Sequence, residues 1–204
     1  MLRPSKIVCV GRNYAAHAKE LGNEVPKQPL IFLKPPSSII RGGASIRIPT
    51  VSKQVQYEGE IGVVVSRQLR RATSGQSRTA IGGIFAANDV TARDLQKSDG
   101  QWTRAKGFDT FCAVGEVGEV PADLSSLTIT TRLNGEVRQS GRAKDMVFDI
   151  PSLLSYISGI MTLEVGDLVL TGTPDGVGTL AAGDVVEVEI AGVSRVNNPV
   201  SFDE

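Results

Sequence analysis

The sequence predicts an α+β fold dominated by β-strands, to which a few short helices are attached. Short runs rich in valine, isoleucine and threonine alternate with turn signals that include 22 glycines and 10 prolines, and this pattern is typical of many short strands. The 204 residues fit one domain, and no repeat or low-complexity tract divides them. We therefore expect a single domain over residues 1–204.

Seven strands are predicted from short runs of β-forming side chains. They cover residues 6–10, 30–33, 61–66, 85–90, 127–133, 167–170 and 185–190. The dipeptide Asn134-Gly135 follows the fifth strand directly. Because a type I′ turn requires a positive φ at both central residues, this dipeptide predicts a tight β-hairpin that continues into residues 136–138.

Three helices are predicted from capping residues and apolar spacing. The first covers residues 14–21, because Asn13 is a favourable N-cap residue and Gly22 suits the position after a helix C-terminus. The second starts after Asp149 and has Pro151 in its first turn. Its apolar face repeats with the helical period and consists of Ile150, Leu153, Leu154, Ile157 and Met161.

The remaining segments are short or polar. A third helix is predicted over about residues 92–96, directly after the strand that contains Asp89. The polar stretches at residues 53–56 and 67–76 are predicted as loops.

Composition excludes several classes of function. The 22 basic and 22 acidic residues give a net charge of zero, so the positive surface of a nucleic acid-binding protein is missing and no such partner is expected. Cys9 and Cys112 form no CxxC motif, which indicates buried, unpaired thiols in a reducing compartment. His17 is the only histidine, so zinc sites built from several histidines are excluded and any metal must be bound by oxygen.

No segment is predicted to cross a membrane. The longest stretch without charge, residues 150–163, is 14 residues long and contains proline, serine and glycine, whereas a span needs about 20 apolar residues. The N-terminus lacks the apolar region of a signal peptide. We therefore predict a cytoplasmic protein without a membrane partner.

Glu58 and Glu60 are the first candidates for a metal site. Residues two apart on a strand point to the same face, so the two carboxylates would lie side by side at the start of an apolar strand. A hard divalent cation would relieve their repulsion; the alternative is a solvated edge strand. Asp89, at the end of another apolar strand, would add a third carboxylate, or else would serve as a helix N-cap. Three carboxylates leave room on the cation for a substrate with two adjacent oxygens, such as a 2-oxo acid.

Other candidates carry acid–base or anion-binding chemistry. His17 and Glu20 are three residues apart on a predicted helix, so the carboxylate could orient the imidazole as a general base; the alternative is an exposed histidine without a role. Lys106 lies among small and apolar residues and would bind a substrate carboxylate, or else would be a surface lysine. The turn at Gly172 and Thr173 offers backbone N–H groups and a hydroxyl to an anion.

Six motifs in the same order resemble the fumarylacetoacetate hydrolase family, and they extend over nearly the whole chain. They begin at Gly11, Phe32, Tyr57, Asn88, Trp102 and Leu170 and read GRNYAAHAKE, FLKP, YEGE, NDVTARD, WTRAK and LTGTP. The sequence is most similar to the short members that act as acylpyruvate hydrolases, oxaloacetate decarboxylases or 2-hydroxyhepta-2,4-diene-1,7-dioate isomerases.

The resemblance implies a mixed β-roll of the fumarylacetoacetate hydrolase C-terminal domain type, a homodimer, and a bound Mg²⁺ or Mn²⁺. The implied roles follow from matching positions in the motifs. The metal ligands are Glu58, Glu60 and Asp89; His17 and Glu20 form a water-activating pair on a lid; Lys106, Gly172 and Thr173 contact the substrate; Arg93 and Gln96 support the site; and Arg12 and Asn13 begin the lid.

The implied function is a divalent-metal-dependent hydrolase that cleaves a C–C bond of acylpyruvate-type 2,4-diketo acids, with decarboxylation of oxaloacetate as a further activity. The small-molecule partner is therefore a 2-oxo or diketo acid. Two alternatives remain open: a 2-hydroxyhepta-2,4-diene-1,7-dioate isomerase, and a non-catalytic, metal-stabilised binding protein.

Overall fold

The structure, a computed structural model, describes residues 4–20, 22 and 24–203. Its strands are β1 Ile7–Gly11, β2 Leu30–Lys34, β3 Ile39–Arg41, β4 Ile46–Ile48, β5 Val55–Tyr57, β6 Gly59–Val65, β7 Ile81–Asp89, β8 Thr91–Ala92, β9 Cys112–Val114, β10 Thr128–Leu133, β11 Glu136–Arg142, β12 Leu168–Leu170, β13 Gly178–Thr179, β14 Val185–Ile190 and β15 Ser194–Phe202. The α-helices are α1 Ala15–Glu20, α2 Ser74–Thr79, α3 Arg93–Asp99, α4 Thr103–Lys106 and α5 Ile150–Ile160. The predicted β-dominated α+β class is confirmed.

The strands form three sheets that mix parallel and antiparallel pairs. A seven-stranded sheet has the order β2-β1-β12-β6-β7-β9-β3, a five-stranded sheet the order β11-β10-β14-β15-β4, and a small sheet the order β13-β5-β8. The pairs β1–β12, β3–β9 and β4–β15 are parallel, whereas the long β6–β7 pair is antiparallel. This arrangement is the mixed β-roll that the motifs imply.

The inner strands of the seven-stranded sheet are buried on both faces, which explains the uninterrupted apolar runs in β1, β6 and β7. One face contributes side chains such as Val8, Ile61 and Ile84 to a core shared with the five-stranded sheet and α5. The other face forms a smaller cluster that includes both cysteines, Cys9 and Cys112, which are buried and unpaired as predicted.

Helix α5 and the hairpin follow their local sequence signals. Asp149 is the N-cap of α5, its side chain accepts a hydrogen bond from the Ser152 amide, and proline occupies the first turn. The predicted apolar face is buried against the sheet as far as Ile157. At the β10–β11 turn, Asn134 and Gly135 have φ angles of 54° and 84°, which confirms the predicted hairpin.

Several predictions of local structure are wrong. Residues 53–56 are not all loop, because β5 begins at Val55, and residues 67–76 include the start of α2. The capping box of α2, in which Thr73 and Gln76 exchange hydrogen bonds, is a sequence signal for this helix start. The short strands β3, β4 and β9 and the asparagine-containing β15 were not predicted.

The first helix begins one residue later than predicted and is described as far as Glu20; residue 21, the last of the predicted helix, lies outside the described residues. Asn13 is not its N-cap. The Asn13 side chain instead donates to the carbonyls of Phe148 and Thr171 and accepts from the Phe148 amide.

In the part of the chain that is described, no helix has the length and apolar character needed to cross a bilayer.

Candidate active site

Three buried carboxylates meet where β6 begins and β7 ends. Glu58 lies between β5 and β6, Glu60 is on β6 and Asp89 is the last residue of β7. Carboxylate oxygens from the three residues lie within 4.8 Å of one another. All three are buried, so the alternative of a solvated edge strand is wrong. The alternative N-cap role of Asp89 is also wrong, because α3 begins at Arg93.

The glycine between the two glutamates lets the backbone pass close to the neighbouring sheet. A Cβ at Gly59 would lie 2.0 Å from Oγ1 of Thr131 on β10, so a larger residue fits only if the Thr131 side chain moves. Glu58 and Glu60 then point to the opposite face, as the two-residue spacing predicts. Gly172 contacts the carboxylates from another segment. Its φ is +99°, and its amide donates to Glu60 Oε2 at 2.7 Å.

Three buried cationic side chains neutralise this carboxylate cluster. Lys106 Nζ lies 2.7 Å from both Glu58 Oε2 and Asp89 Oδ2, which rules out the alternative of a surface lysine. Arg93 donates to Glu58 Oε1 at 2.5 Å. Lys34 Nζ lies 2.7 Å from Asp89 Oδ1. Among these bonds, Glu60 receives none from a cation.

The charges shift the pKa values in opposite directions within the cluster. Burial opposes the ionisation of Glu58, but Lys106 and Arg93 outweigh it and hold the pKa of this carboxyl well below its ordinary value. Burial and the nearby carboxylates of Asp89 and Glu58 raise the pKa of Glu60 well above its ordinary value. Burial lowers the pKa of Lys106, but the attraction of Asp89 and Glu58 is stronger and raises it. Additional positive charge beside Glu60 would therefore be favourable.

The donor set fits a hard divalent cation. Mg²⁺ and Mn²⁺ prefer oxygen ligands, and Mg²⁺ sites in proteins typically combine a few carboxylates with exchangeable waters. Glu58, Glu60 and Asp89 supply carboxylate oxygens close enough together to bind one ion. These are the residues that would hold it.

His17 and Glu20 lie on α1, beside the carboxylate cluster. His17 Nδ1 is 3.2 Å from Glu20 Oε2, and the histidine is 4% exposed, so it is not an exposed bystander. Glu20 is held in turn by the Gly176 amide, which donates to Oε1 at 3.1 Å. With Nδ1 engaged by the carboxylate and no bond to Nε2 from the described residues, Nε2 is the nitrogen that can exchange a proton with a ligand.

A cavity of about 260 Å³ lies over these groups. It is lined by Val10, Gly11, Arg12, His17, Phe32, Glu58, Glu60, Arg93, Gln96, Lys97, Trp102, Lys106 and Thr173. The structure thus brings most of the predicted site residues to one place. Asn13, Glu20, Asp89 and Gly172 do not line the cavity. Glu20, Asp89 and Gly172 bind the lining residues His17, Lys106 and Glu60, whereas Asn13 binds only residues outside the lining.

Arg93 connects the cavity wall to the small sheet. Besides its bond to Glu58, it donates to Gln96 Oε1 at 2.6 Å and to Gln56 Oε1 at 2.7 Å. Gln96, predicted as a supporting residue, therefore orients the guanidinium group. Gln56 was not predicted, because its segment was interpreted as a loop.

Sequence reasoning assigned no role to three further buried residues that contact the site. Lys34 pairs with Asp89, whereas Asn88 and Gln139 accept hydrogen bonds from the amides of Glu58 and Gly59. A signal for Lys34 was available, because it ends an apolar strand just as Lys106 lies among apolar residues. The two amide side chains carry no comparable local signal.

Comparison with known proteins agrees with this fold. The sequence model described as "Fumarylacetoacetate (FAA) hydrolase C-terminal" matches residues 6–201. A mitochondrial oxaloacetate tautomerase of Arabidopsis thaliana is 48% identical, over 94% of this chain and 89% of the relative. A mitochondrial oxaloacetate decarboxylase of Dictyostelium discoideum is 43% identical, over 97% of this chain and 93% of the relative.

Solved structures show the same architecture. The crystal structure of a 2-hydroxyhepta-2,4-diene-1,7-dioate isomerase from Mycobacterium marinum superimposes with a TM-score of 0.91 at 42% identity, covering 99% of this chain and 76% of that one. The family match, the high identity to named enzymes and the shared fold all lead to the same assignment. This chain belongs to the fumarylacetoacetate hydrolase family.

Proposed function

We propose that this protein is a divalent-metal-dependent enzyme that acts on 2-oxo acids, with oxaloacetate as its first substrate. The observation that carries the proposal is the cluster of Glu58, Glu60 and Asp89, which is buried beside a cavity and balanced by cations. The relatives named for tautomerisation and decarboxylation of oxaloacetate support the same substrate.

The charge of the site favours an anionic substrate. The three carboxylates are matched by the three cations Lys34, Arg93 and Lys106, so a bound divalent ion leaves two excess positive charges. Arg12 and Lys97 also line the cavity, and neither forms an ion pair within the described residues. A dicarboxylate such as oxaloacetate would neutralise this excess, whereas a neutral ligand would not.

A bound Mg²⁺ or Mn²⁺ would supply Lewis-acid stabilisation of negative charge on the substrate oxygens. The residues of the chain supply the rest of the site. Lys106 and Arg93 hold Glu58 ionised and in a fixed position. Phe32 and Trp102, which pack edge to face at 5.1 Å, give the cavity an apolar wall that limits access of water.

In both reactions of oxaloacetate, tautomerisation and decarboxylation, electrons accumulate on the 2-oxo oxygen. In tautomerisation, a base takes a proton from C3 and the C–H electron pair forms the enol double bond, while the oxygen gains a proton. In decarboxylation, the C3–C4 bond breaks, CO₂ leaves, and protonation of C3 then gives pyruvate. His17 is positioned to move the proton, since it lines the cavity and Glu20 binds its Nδ1 and orients the ring.

Hydrolysis of acylpyruvates is the second candidate, and the His17–Glu20 pair favours it. His17 would take a proton from water as the water oxygen attacks the distal carbonyl of the diketo acid. The C–C bond then breaks, and its electrons pass to the pyruvate fragment, which is protonated to give pyruvate and a carboxylic acid. An isomerase would move only a double bond, and a binding protein would leave all bonds intact.

Incubation of the pure protein with Mg²⁺ and separate samples of oxaloacetate and acetylpyruvate tests the proposal. The enol absorbance of oxaloacetate reports tautomerisation, pyruvate with CO₂ reports decarboxylation, and pyruvate with acetate reports hydrolysis. Metal-dependent turnover of oxaloacetate is expected. If neither compound reacts but both raise the melting temperature of the metal-loaded protein, the binding-protein alternative is correct.

A further inference from the structure

Side-chain amides bind the backbone of the segment that carries two of the three carboxylates. Glu58 lies between β5 and β6, and its N–H donates to Asn88 Oδ1 at 2.9 Å. The next N–H, that of Gly59, donates to Gln139 Oε1, also at 2.9 Å. Asn88 and Gln139 are both 1% exposed. Two buried amides thus fix the backbone that orients Glu58 and Glu60.

Gln139 also reaches the opposite wall of the site. Its Nε2 donates to Thr173 Oγ1 at 2.8 Å and to the Pro174 carbonyl at 2.8 Å. Both N–H groups and the carbonyl oxygen of this amide are therefore in use. Thr173 lines the cavity, whereas Gln139 does not, so the glutamine acts only through the groups that it binds.

We propose that Gln139 is a positioning residue that sets the distance between the carboxylate segment at Gly59 and the substrate-facing turn at Thr173. The inference rests on the proposed metal-dependent function. A bound ion tolerates ligand displacements of only about 0.5 Å. Because one amide group binds both walls at once, a shift of either wall must lengthen at least one of its three hydrogen bonds.

The opposing interpretation is that Gln139 merely satisfies buried backbone groups and stabilises the fold. Asn198 provides a matched control, because its side-chain amide is also 1% exposed. It donates to the carbonyls of Arg41 and Ala44 at 2.8 and 2.7 Å, and none of these residues lines the cavity. Loss of this amide should lower stability without changing the site.

Three variants of the full chain separate the two interpretations. Gln139→Met keeps the length of the side chain and removes all three hydrogen bonds. Gln139→Asn keeps the amide but is one methylene shorter, so it cannot span from Gly59 to Thr173. This variant replaces Gln139→Met in the experiment if the methionine variant fails to fold. Asn198→Leu is the control. Thermal melting without metal measures the structural cost of each change.

The deciding measurement is the dissociation constant for Mn²⁺, obtained from the electron paramagnetic resonance signal of the free ion. We expect Gln139→Met and Gln139→Asn to weaken Mn²⁺ binding about 10-fold, the lower end of the effect of outer residues at metal sites, while Asn198→Leu stays within about twofold of the native protein. Native affinity in a folded Gln139 variant would overturn the positioning role and leave the proposed function standing. Absence of Mn²⁺ binding by the native protein would reject both.

Discussion

Lys34 Nζ lies 2.7 Å from Asp89 Oδ1, and both side chains are completely buried. Because Lys106 binds the other oxygen of the same carboxylate at 2.7 Å, each oxygen of Asp89 has its own ammonium group. The carboxylate can therefore remain charged without contact with water, at the end of an otherwise apolar strand. A buried charge of this kind is tolerated only while its partners are in place.

Replacing Lys34 with methionine should destabilise the metal-free protein by about 3–5 kcal/mol, the cost of leaving a buried charge without one of its partners. Urea unfolding measures the change. Lys53→Met, at an exposed position, is the matched control and should have little effect. Because a bound cation would partly replace the lost ammonium charge, Mg²⁺ should recover more stability in the Lys34 variant than in the native protein. A loss equal to that of the control would contradict this account.

Metal binding should raise the melting temperature of the native protein. A ligand that binds only the folded state at 100 times its dissociation constant stabilises it by about 2.7 kcal/mol, and EDTA should reverse the gain. Asp89→Asn should abolish the response to Mg²⁺, whereas the exposed Glu136→Gln should retain it. Equal responses in the two variants would show that the ion binds elsewhere.

Some parts of the site could be predicted from short spacings, whereas the grouping of Asp89 and Lys106 with them rests on the family resemblance. Glu58 and Glu60 share a face because strand side chains alternate, and His17 and Glu20 share a face because they are three apart on a helix. The start of α5 is likewise encoded within a few residues of Asp149. In each of these cases, the partner groups lie close together in the sequence.

The residues that were missed depend on contacts between distant segments. Gln139 is 80 residues from Gly59 and 34 from Thr173, and Lys34 is 55 residues from Asp89. Local propensity and periodicity do not identify such partners: a lysine that ends an apolar strand marks Lys34 as unusual but does not indicate its pairing with Asp89. For the same reason β15 was missed, because its pairing with β14 and β4 overrides the weak strand propensity of its asparagines and proline.

His17→Gln should lower kcat for acylpyruvate hydrolysis by about 10²–10⁴-fold, the usual contribution of a general base. The metal ligands are unchanged, so the Mn²⁺ dissociation constant should stay close to the native value. Glu20→Gln should give a smaller loss, because it removes only the group that orients His17 Nδ1. A variant without His17 that hydrolyses acetylpyruvate at the native rate would exclude its role as the base.

Asp167 links the residues just before β1 to the start of β12, and it should make the free energy of unfolding depend on pH. Burial opposes its ionisation, but hydrogen bonds from Lys6, the Glu164 amide and Ser5 outweigh burial, so the pKa of Asp167 is lowered. Because the folded-state pKa lies below the unfolded value of about 3.9, the stabilisation is complete above that value and is lost as the pH falls through the folded-state pKa.

Asp167→Asn should therefore cost about 1.5–3 kcal/mol at neutral pH, the range for a hydrogen bond to a charged group. The difference from the native protein should shrink below about pH 4. Urea unfolding at a series of pH values gives both quantities, and the exposed Asp109→Asn serves as control. A stability difference that stays constant down to low pH would contradict the lowered pKa.

Arg12 should select substrates with a second carboxylate. It lines the cavity with a left-handed backbone φ of 58°, and it forms no ion pair within the described part of the chain. A charge-assisted hydrogen bond to the distal carboxylate of oxaloacetate would be worth about 1.5–3 kcal/mol. Arg12→Gln should accordingly raise KM for oxaloacetate about 10-fold or more while leaving KM for acetylpyruvate, which has one carboxylate, nearly unchanged.

Arg142→Gln, outside the cavity, should change neither value. An equal rise in KM for both substrates would mean that Arg12 binds the shared 2-oxo acid end of these molecules. The substrate preference would then have to arise from Lys97, which also lines the cavity.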